Sequence, residues 1–390
     1  MNSAMTSRER VFAAAKGQPV DRVPVFMFLN PHACCRMIAK YQPLKKPGLN
    51  LLARFLWQRF HKGGELKAHE IWRALPLLLD GYPFNAALEY SFQLGADMTV
   101  VGHDLLRNIR LKQGHLVIKD FYGVERSLGS GIYADGIEPV IKDVAQIKDY
   151  IFPDFRDEAG YAGIRKYRKL YPDKSICAGV CGAFDFPQAS VFGIERMMVY
   201  LVDYPDEMQA FMRRWTDNEI VAVQRSVKAG ADTVLIYDDY GYNNRTFLSP
   251  RMWKSCVYPH LKRLTDAVHE EGALALLHSC GYQMPLVDSY VEAGIDMLQA
   301  FQPLAGNDFA AAYEKHGDML TFVTGIDTQR GETLSPQEYR EDILKVYKIG
   351  ITKPRFVLGM THMLQFTMPL ENIRVIFDTL AEIKSGNYEI

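Results

Sequence analysis

The sequence predicts an α/β fold: a (β/α)8 TIM barrel with a helical N-terminal insertion and a β-hairpin excursion between strands 2 and 3. Three observations predict it. Eight short apolar segments lie near residues 23, 97, 176, 232, 273, 295, 319 and 355. Six of them alternate without a break with helix-period stretches, which implies parallel pairing, and eight such units imply closure. An open, doubly wound sheet would be expected to carry a Gly-x-Gly-x-x-Gly turn after an early strand, and none is present. The expectation is one barrel domain over residues 1–390.

The elements follow in order. Thr6 and Glu9 form a Thr-x-x-Glu capping box that starts a helix through Val11 and Ala15, stopping near Gly17. Residues 21–28 make the first strand, with Pro24 near its start or edge. Residues 31–92 are rich in Leu and aromatics but poor in strand signals, which predicts the helical insertion. Residues 96–101 form the second strand, and Ile109–Lys119 alternates about Gly114 as a hairpin. A helix near 160–170, a strand over 176–182, helices through 195–229 and a strand over 232–237 come next. Ser249-Pro250 opens a helix whose apolar positions Trp253, Val257, Leu261, Leu264 and Val268 recur at helical spacing up to Gly272. The run Leu274-Ala275-Leu276-Leu277 is a fifth strand, and strands over 295–300, 319–324 and 356–359 complete the set. Ser335-Pro336-Gln337-Glu338 caps a helix between the last two, and a final helix begins at Pro369.

Composition bounds the function. A hydrophobic fraction of 48% with 23% charged residues fits a globular protein with an ample core, and a net charge of −1 leaves no basic footprint for nucleic acid or a membrane surface. Cys34, Cys35, Cys177, Cys181, Cys256 and Cys280 read as reduced thiols rather than a disulfide framework. No apolar leader opens the chain, and no run approaches the roughly 18 apolar residues of a membrane span. The expectation is a cytoplasmic protein.

In such barrels the site lies at the C-terminal ends of the strands. The residues there are Asn30, His32, His103, Asp104, Asp185, Asp238, Asp239, His278, Cys280, Gln299, Gln302, Asp327 and His362. His278 and Cys280 sit two apart, so extended chain points both the same way and they can share a soft divalent metal such as Zn²⁺. A core histidine beside an inert thiol is the plain alternative. His362, past the eighth strand, can converge on the same pore mouth as a third ligand, leaving the open fourth position of a catalytic zinc. His32 and Cys34 repeat the spacing inside the predicted helical insertion, where a metal site is the weaker reading. Asp185 and Asp327 can equally be helix caps, and Asp238-Asp239 a solvated turn.

The chain resembles the uroporphyrinogen decarboxylase superfamily, which includes corrinoid-dependent methyltransferases. The resemblance rests on Arg8-Glu9-Arg10-Val11-Phe12 and Gly17 through Pro24, Gly182-Ala183-Phe184, Gly193-Ile194-Glu195, and Asp203-Tyr204-Pro205. It continues through Leu248-Ser249-Pro250, Tyr258 through Lys262, Gly325-Ile326-Asp327-Thr328, and Thr367 through Asn372. The superfamily fold is a (β/α)8 barrel. Its decarboxylases carry an Arg-Gln-Ala-Gly-Arg stretch after the first strand, where this chain reads Met27-Phe28-Leu29-Asn30-Pro31-His32. Its methyltransferases carry His-x-Cys-Gly after the fifth strand and a Cys before the last helix. His278-Ser279-Cys280-Gly281 matches the first, and His362 stands where the second has Cys; the decarboxylases also have a histidine there.

The resemblance implies a zinc site of His278, Cys280 and His362, with Asp104, Asp238 and Asp239 as fourth ligand, orienting partner or general acid. It implies methyl transfer between a small-molecule thiol or methoxy compound and the cobalamin of a corrinoid protein partner. The rival is a metal-free decarboxylase acting on a tetrapyrrole or other carboxylate, with Asp104 binding pyrrole N–H groups; a third reading is a non-catalytic corrinoid- or tetrapyrrole-binding scaffold. Assembly as a homodimer stays open.

Overall fold

The computed structural model describes residues 5–45, 50–51, 54, 82–101, 109–112, 115–120, 122–127, 135–136 and 138–388. Eight parallel strands close into a barrel in the order β1 (Val25–Met27), β2 (Met98–Val101), β3 (Ser175–Cys181), β4 (Thr233–Tyr237), β5 (Leu274–His278), β6 (Met297–Gln299), β7 (Thr321–Ile326) and β8 (Phe356–Met360), which pairs back onto β1. Around it run α1 (Ser7–Ala15), α2 (Pro31–Lys40), α3 (Tyr82–Gln93), α4 (Ala162–Leu170), α5 (Ile194–Asp203), α6 (Pro205–Ala229), α7 (Pro250–Cys256), α8 (Tyr258–Glu270), α9 (Val287–Ala293), α10 (Phe309–His316), α11 (Pro336–Gly350) and α12 (Leu370–Ser385). The capping boxes at Thr6 and Ser335 form as expected.

Three details depart from the sequence reading. The expected hairpin forms between Ile109–Lys112 and His115–Lys119, but it continues into a four-stranded antiparallel sheet with Glu125–Ser127 and Asp135–Gly136. The expected single helix from Pro250 is two, α7 and α8, because Pro259 in the first turn of the second has no N–H to continue the ladder. Strand β6 is shorter than 295–300, since Ala300 turns out of extended geometry at φ 74°. Most of the expected insertion between α2 and α3 lies outside the described residues.

The barrel has a floor. Phe26, Met98, Cys177, Leu235, Leu276, Met297, Val323 and Val357, one from each strand, fill the interior, and Val11, Ala14 and Ala15 of α1 pack onto them from below. Carboxylates brace that end. Asp97, just before β2, accepts from the Val25 backbone N–H at 2.9 Å and is gripped by Arg10, Arg22 and Ser7. Asp232, before β4, accepts from Ile176 N at 2.9 Å and pairs with Arg8 and Arg168. Asp296, before β6, accepts from Ala275 N at 2.8 Å and bonds His269. In each case the aspartate's own N–H returns the bond to the same partner residue's carbonyl, so one strand is clasped to the preceding one. The plugged floor lies at the end of the barrel opposite the C-terminal ends of the strands.

Candidate metal centre

His278 closes β5 in register with Tyr237 of β4 and Gln299 of β6. Two residues on, Cys280 brings Sγ to 3.4 Å from His278 Nε2. His362, two residues past β8, sets its ring 5.5 Å from the His278 ring at 67°. The three side chains present ligand atoms that all lie within 4.8 Å of one another. The structure thus brings the three together.

The loop that carries Cys280 is tightly held. Gly281 takes φ 79° and lies against Gly241, and a Cβ on it would come 2.2 Å from the Gly241 carbonyl carbon, so glycine is required. Its N–H donates to Gln302 Oε1 at 2.9 Å, and Asn307 Nδ2 donates back to its carbonyl at 2.9 Å. Cys280 N donates to Asp239 Oδ1 at 2.6 Å, and Tyr240 N to Ser279 Oγ at 3.1 Å. The loops after β4, β5 and β6 therefore lock together, and thiol and imidazole stand on a rigid base.

The electrostatics suit a cation. Burial pushes both His278 and His362 down to about 4, the second aided by the neighbouring imidazole, so both rings are neutral near pH 7. Burial, and then Asp239 and Asp185, push the Cys280 thiol up. A divalent ion displaces that thiol proton, and a neutral imidazole binds without losing one. A tetrahedral zinc with N and S ligands separates an imidazole nitrogen from a thiolate by roughly 3.5 Å. The 3.4 Å between His278 and Cys280 fits it.

The aspartates divide. Asp239 lies beside the trio, its Oδ1 3.8 Å from His278 Nε2, and burial raises its carboxyl against the Cys280 amide that lowers it. Asp238 is buried, which pushes its carboxyl up to about 8, and its oxygens are already taken: Phe184 N donates at 3.1 Å, Asp185 N at 2.6 Å and Tyr240 Oη at 2.7 Å. It holds the turn after β3. Asp327 likewise accepts from Gln329 N and Arg330 N, as a cap would. Asn30 is buried and donates its N–H to Leu364 O. Asp185, half-buried, accepts from Gln188 at 3.3 Å. Asp104 and His103 lie outside the described residues, as does the side chain of His32. Tyr240, Ser279 and Asn307 support the site without having been singled out in sequence, where nothing distinguishes them from ordinary loop residues.

A family model described as Uroporphyrinogen decarboxylase (URO-D) matches residues 106–383. Among curated proteins, the chain is 22% identical over 383 residues to the uroporphyrinogen decarboxylase of Anaeromyxobacter sp. (strain Fw109-5), covering 95% of this chain and 97% of that protein. It is 23% identical over 377 residues to that of Pelobacter propionicus, covering 94% and 96%. Among solved structures, a methyltransferase from Methanosarcina mazei superposes over 97% of this chain and 99% of its own, with a TM-score of 0.63 at 16% identity, and so shares the fold.

Proposed function

The chain belongs to the uroporphyrinogen decarboxylase (URO-D) family, and from that premise we propose that it is a zinc-dependent methyltransferase, moving a methyl group between a corrinoid protein and a thiol or methoxylated small molecule. The convergence of His278, Cys280 and His362 at the C-terminal ends of the strands carries the reading. Three protein donors leave a fourth position for substrate, which distinguishes a catalytic zinc from a structural one. A methyltransferase in Methanosarcina mazei uses a barrel of this shape.

His278 and His362 would hold the ion through neutral nitrogens and Cys280 through its thiolate. Bound there, zinc supplies a Lewis acid that acidifies a thiol or polarises an ether oxygen. Asp239 stands on the same side as His278 Nε2, and its raised carboxyl is placed to take the proton of an arriving thiol or return one to a leaving group. Asp238 keeps the β3 turn beneath it in place. Because α1 plugs the floor, substrate and the cobalamin of the partner would meet the site from the C-terminal ends of the strands.

Cys177, Cys256 and Cys280 are free thiols, which favours a reducing, cytoplasmic setting. No helix among the described residues is long and apolar enough to cross a membrane.

The second reading is a decarboxylase, favoured by the names of the curated relatives. A porphyrinogen carries several carboxylates that need cationic partners, and the stretch Met27 to His32 after β1 offers no arginine. Elemental analysis with two assays separates the readings. About one zinc per chain, with methyl transfer between a corrinoid and a thiol or methoxy compound, supports the first. Zinc-free protein that decarboxylates uroporphyrinogen overturns it.

A further inference from the structure

An imidazole binds a metal only through the nitrogen that carries no proton, and which nitrogen that is depends on what faces the other one. On β6, Gln299 is fully buried in register with His278. Its Oε1 bonds His278 Nδ1, and its Nε2 donates to the Met360 carbonyl at 2.7 Å. That carbonyl only accepts, so it decides which way round the carboxamide sits. Turned over, the amide would set its oxygen against the Met360 oxygen and its NH₂ against the ring. Held as it is, Gln299 offers His278 an acceptor and nothing else, and the nitrogen facing it must donate.

We propose that Gln299 is a positioning residue: anchored on the Met360 carbonyl, it holds His278 in the Nδ1–H tautomer and leaves the bare Nε2 facing Cys280 and His362. Met360 lies two residues before His362, so one carboxamide also ties the strand that carries the first imidazole to the strand that carries the second. Gln299 acts through His278 and does not itself touch the metal. The consequence for metal binding rests on the zinc reading above; the tautomer itself does not.

The test uses Gln299→Leu, which removes both bonds at similar volume, and Gln299→Glu. The glutamate, buried and therefore protonated, can donate to Met360 and still accept from Nδ1. Nitrogen NMR of histidine-labelled, metal-free protein reads the tautomer, and competition with a chromophoric chelator reads zinc affinity. We expect Nδ1–H at His278 in the wild type and in Gln299→Glu. In Gln299→Leu we expect a mixture containing Nε2–H, with zinc affinity down by roughly 10–100-fold, the usual effect of losing such an outer partner. Thermal unfolding shows whether each variant is folded; if Gln299→Leu is not, Gln299→Glu decides alone by keeping or losing the tautomer. An Nε2–H His278 in the wild type, or an unchanged tautomer in folded Gln299→Leu, overturns the proposal. A wild type that binds no zinc, while Gln299→Leu still shifts the tautomer, sinks the zinc reading and upholds Gln299's hold on the ring.

Discussion

Cys280 Sγ stands 3.4 Å from His278 Nε2, and neither group has the protonation state of a metal-free ion pair: the thiol is pushed up and the imidazole down to about 4. A divalent cation bound there, as proposed, would displace the thiol proton and meet an imidazole that has none to lose. Cys280→Ala and His278→Ala should therefore purify folded, with little zinc and no methyl transfer, because two ligands cannot complete the protein's share of a tetrahedral shell. His362→Ala should lose zinc less completely, since Asp239 or water can fill the gap. Metal analysis checks this, and full occupancy in Cys280→Ala would place the metal elsewhere.

The paired aspartates should part company under mutation. Asp238→Ala strands two buried backbone N–H groups and should cost about 2–4 kcal/mol of stability while zinc stays bound. Asp239→Asn keeps an acceptor for the Cys280 N–H, so the fold should hold while turnover falls by about 10²–10⁴-fold. Denaturant melts and steady-state rates on the two variants decide; undiminished turnover in Asp239→Asn removes it from the chemistry.

Glu219, buried on α6, accepts from Tyr122 Oη at 2.8 Å and from Cys181 N at 3.1 Å, and burial pushes it up to about 8. A carboxyl raised in the fold contributes stability that is complete below the unfolded value near 4.5 and is lost as pH rises through the folded value. Wild-type stability should thus decline between about pH 4.5 and 8 relative to Glu219→Gln, by a few kcal/mol. Glutamine imitates the neutral acid by donating to Tyr122 instead. Unfolding midpoints measured across that range should diverge for the two proteins; parallel curves would refute the assignment.

Asp97 is buried among Ser7, Arg10 and Arg22 at the barrel floor. Asp97→Ala should cost about 3–5 kcal/mol, the usual effect of removing one partner from a buried charge network. Zinc content should not change, because the floor and the mouth lie at opposite ends of the strands. Zinc loss in folded Asp97→Ala would show that the ends are coupled.

The barrel could be read from sequence because strands covered on both faces are runs of apolar residues, as in Leu274–Leu277. Short strands escape that signal: Glu125–Ser127 and Asp135–Gly136 contain almost nothing apolar and exist through pairing with their neighbours. The break before α8 escaped because the apolar period runs on across Pro259. At the site, His278 and Cys280 were readable because their spacing of two survives in the structure, and His362 because strand ends share one rim. What Asp238 does was not readable, since its partners Phe184 and Asp185 come from the neighbouring strand's loop. The bond between Gln299 and His278 depends likewise on a cross-strand register that no local pattern encodes.

The aspartate clasps at the floor join β1 to β2, β3 to β4 and β5 to β6, and so divide six of the eight strands into two-strand units with unclasped seams between them. Cooperative opening in native proteins follows such units rather than single strands. The β5–β6 unit is also tied at its upper end, where Gln299 meets His278, as the β3–β4 unit is where Asp238 holds the turn after β3. Slow amide exchange at Leu276, Leu277 and Leu298 is its expected mark, with the seam between β6 and β7 exchanging sooner. A centre with two of its three proposed ligands, His278 and Cys280, on that unit would keep those two in place through excursions that loosen other parts of the barrel.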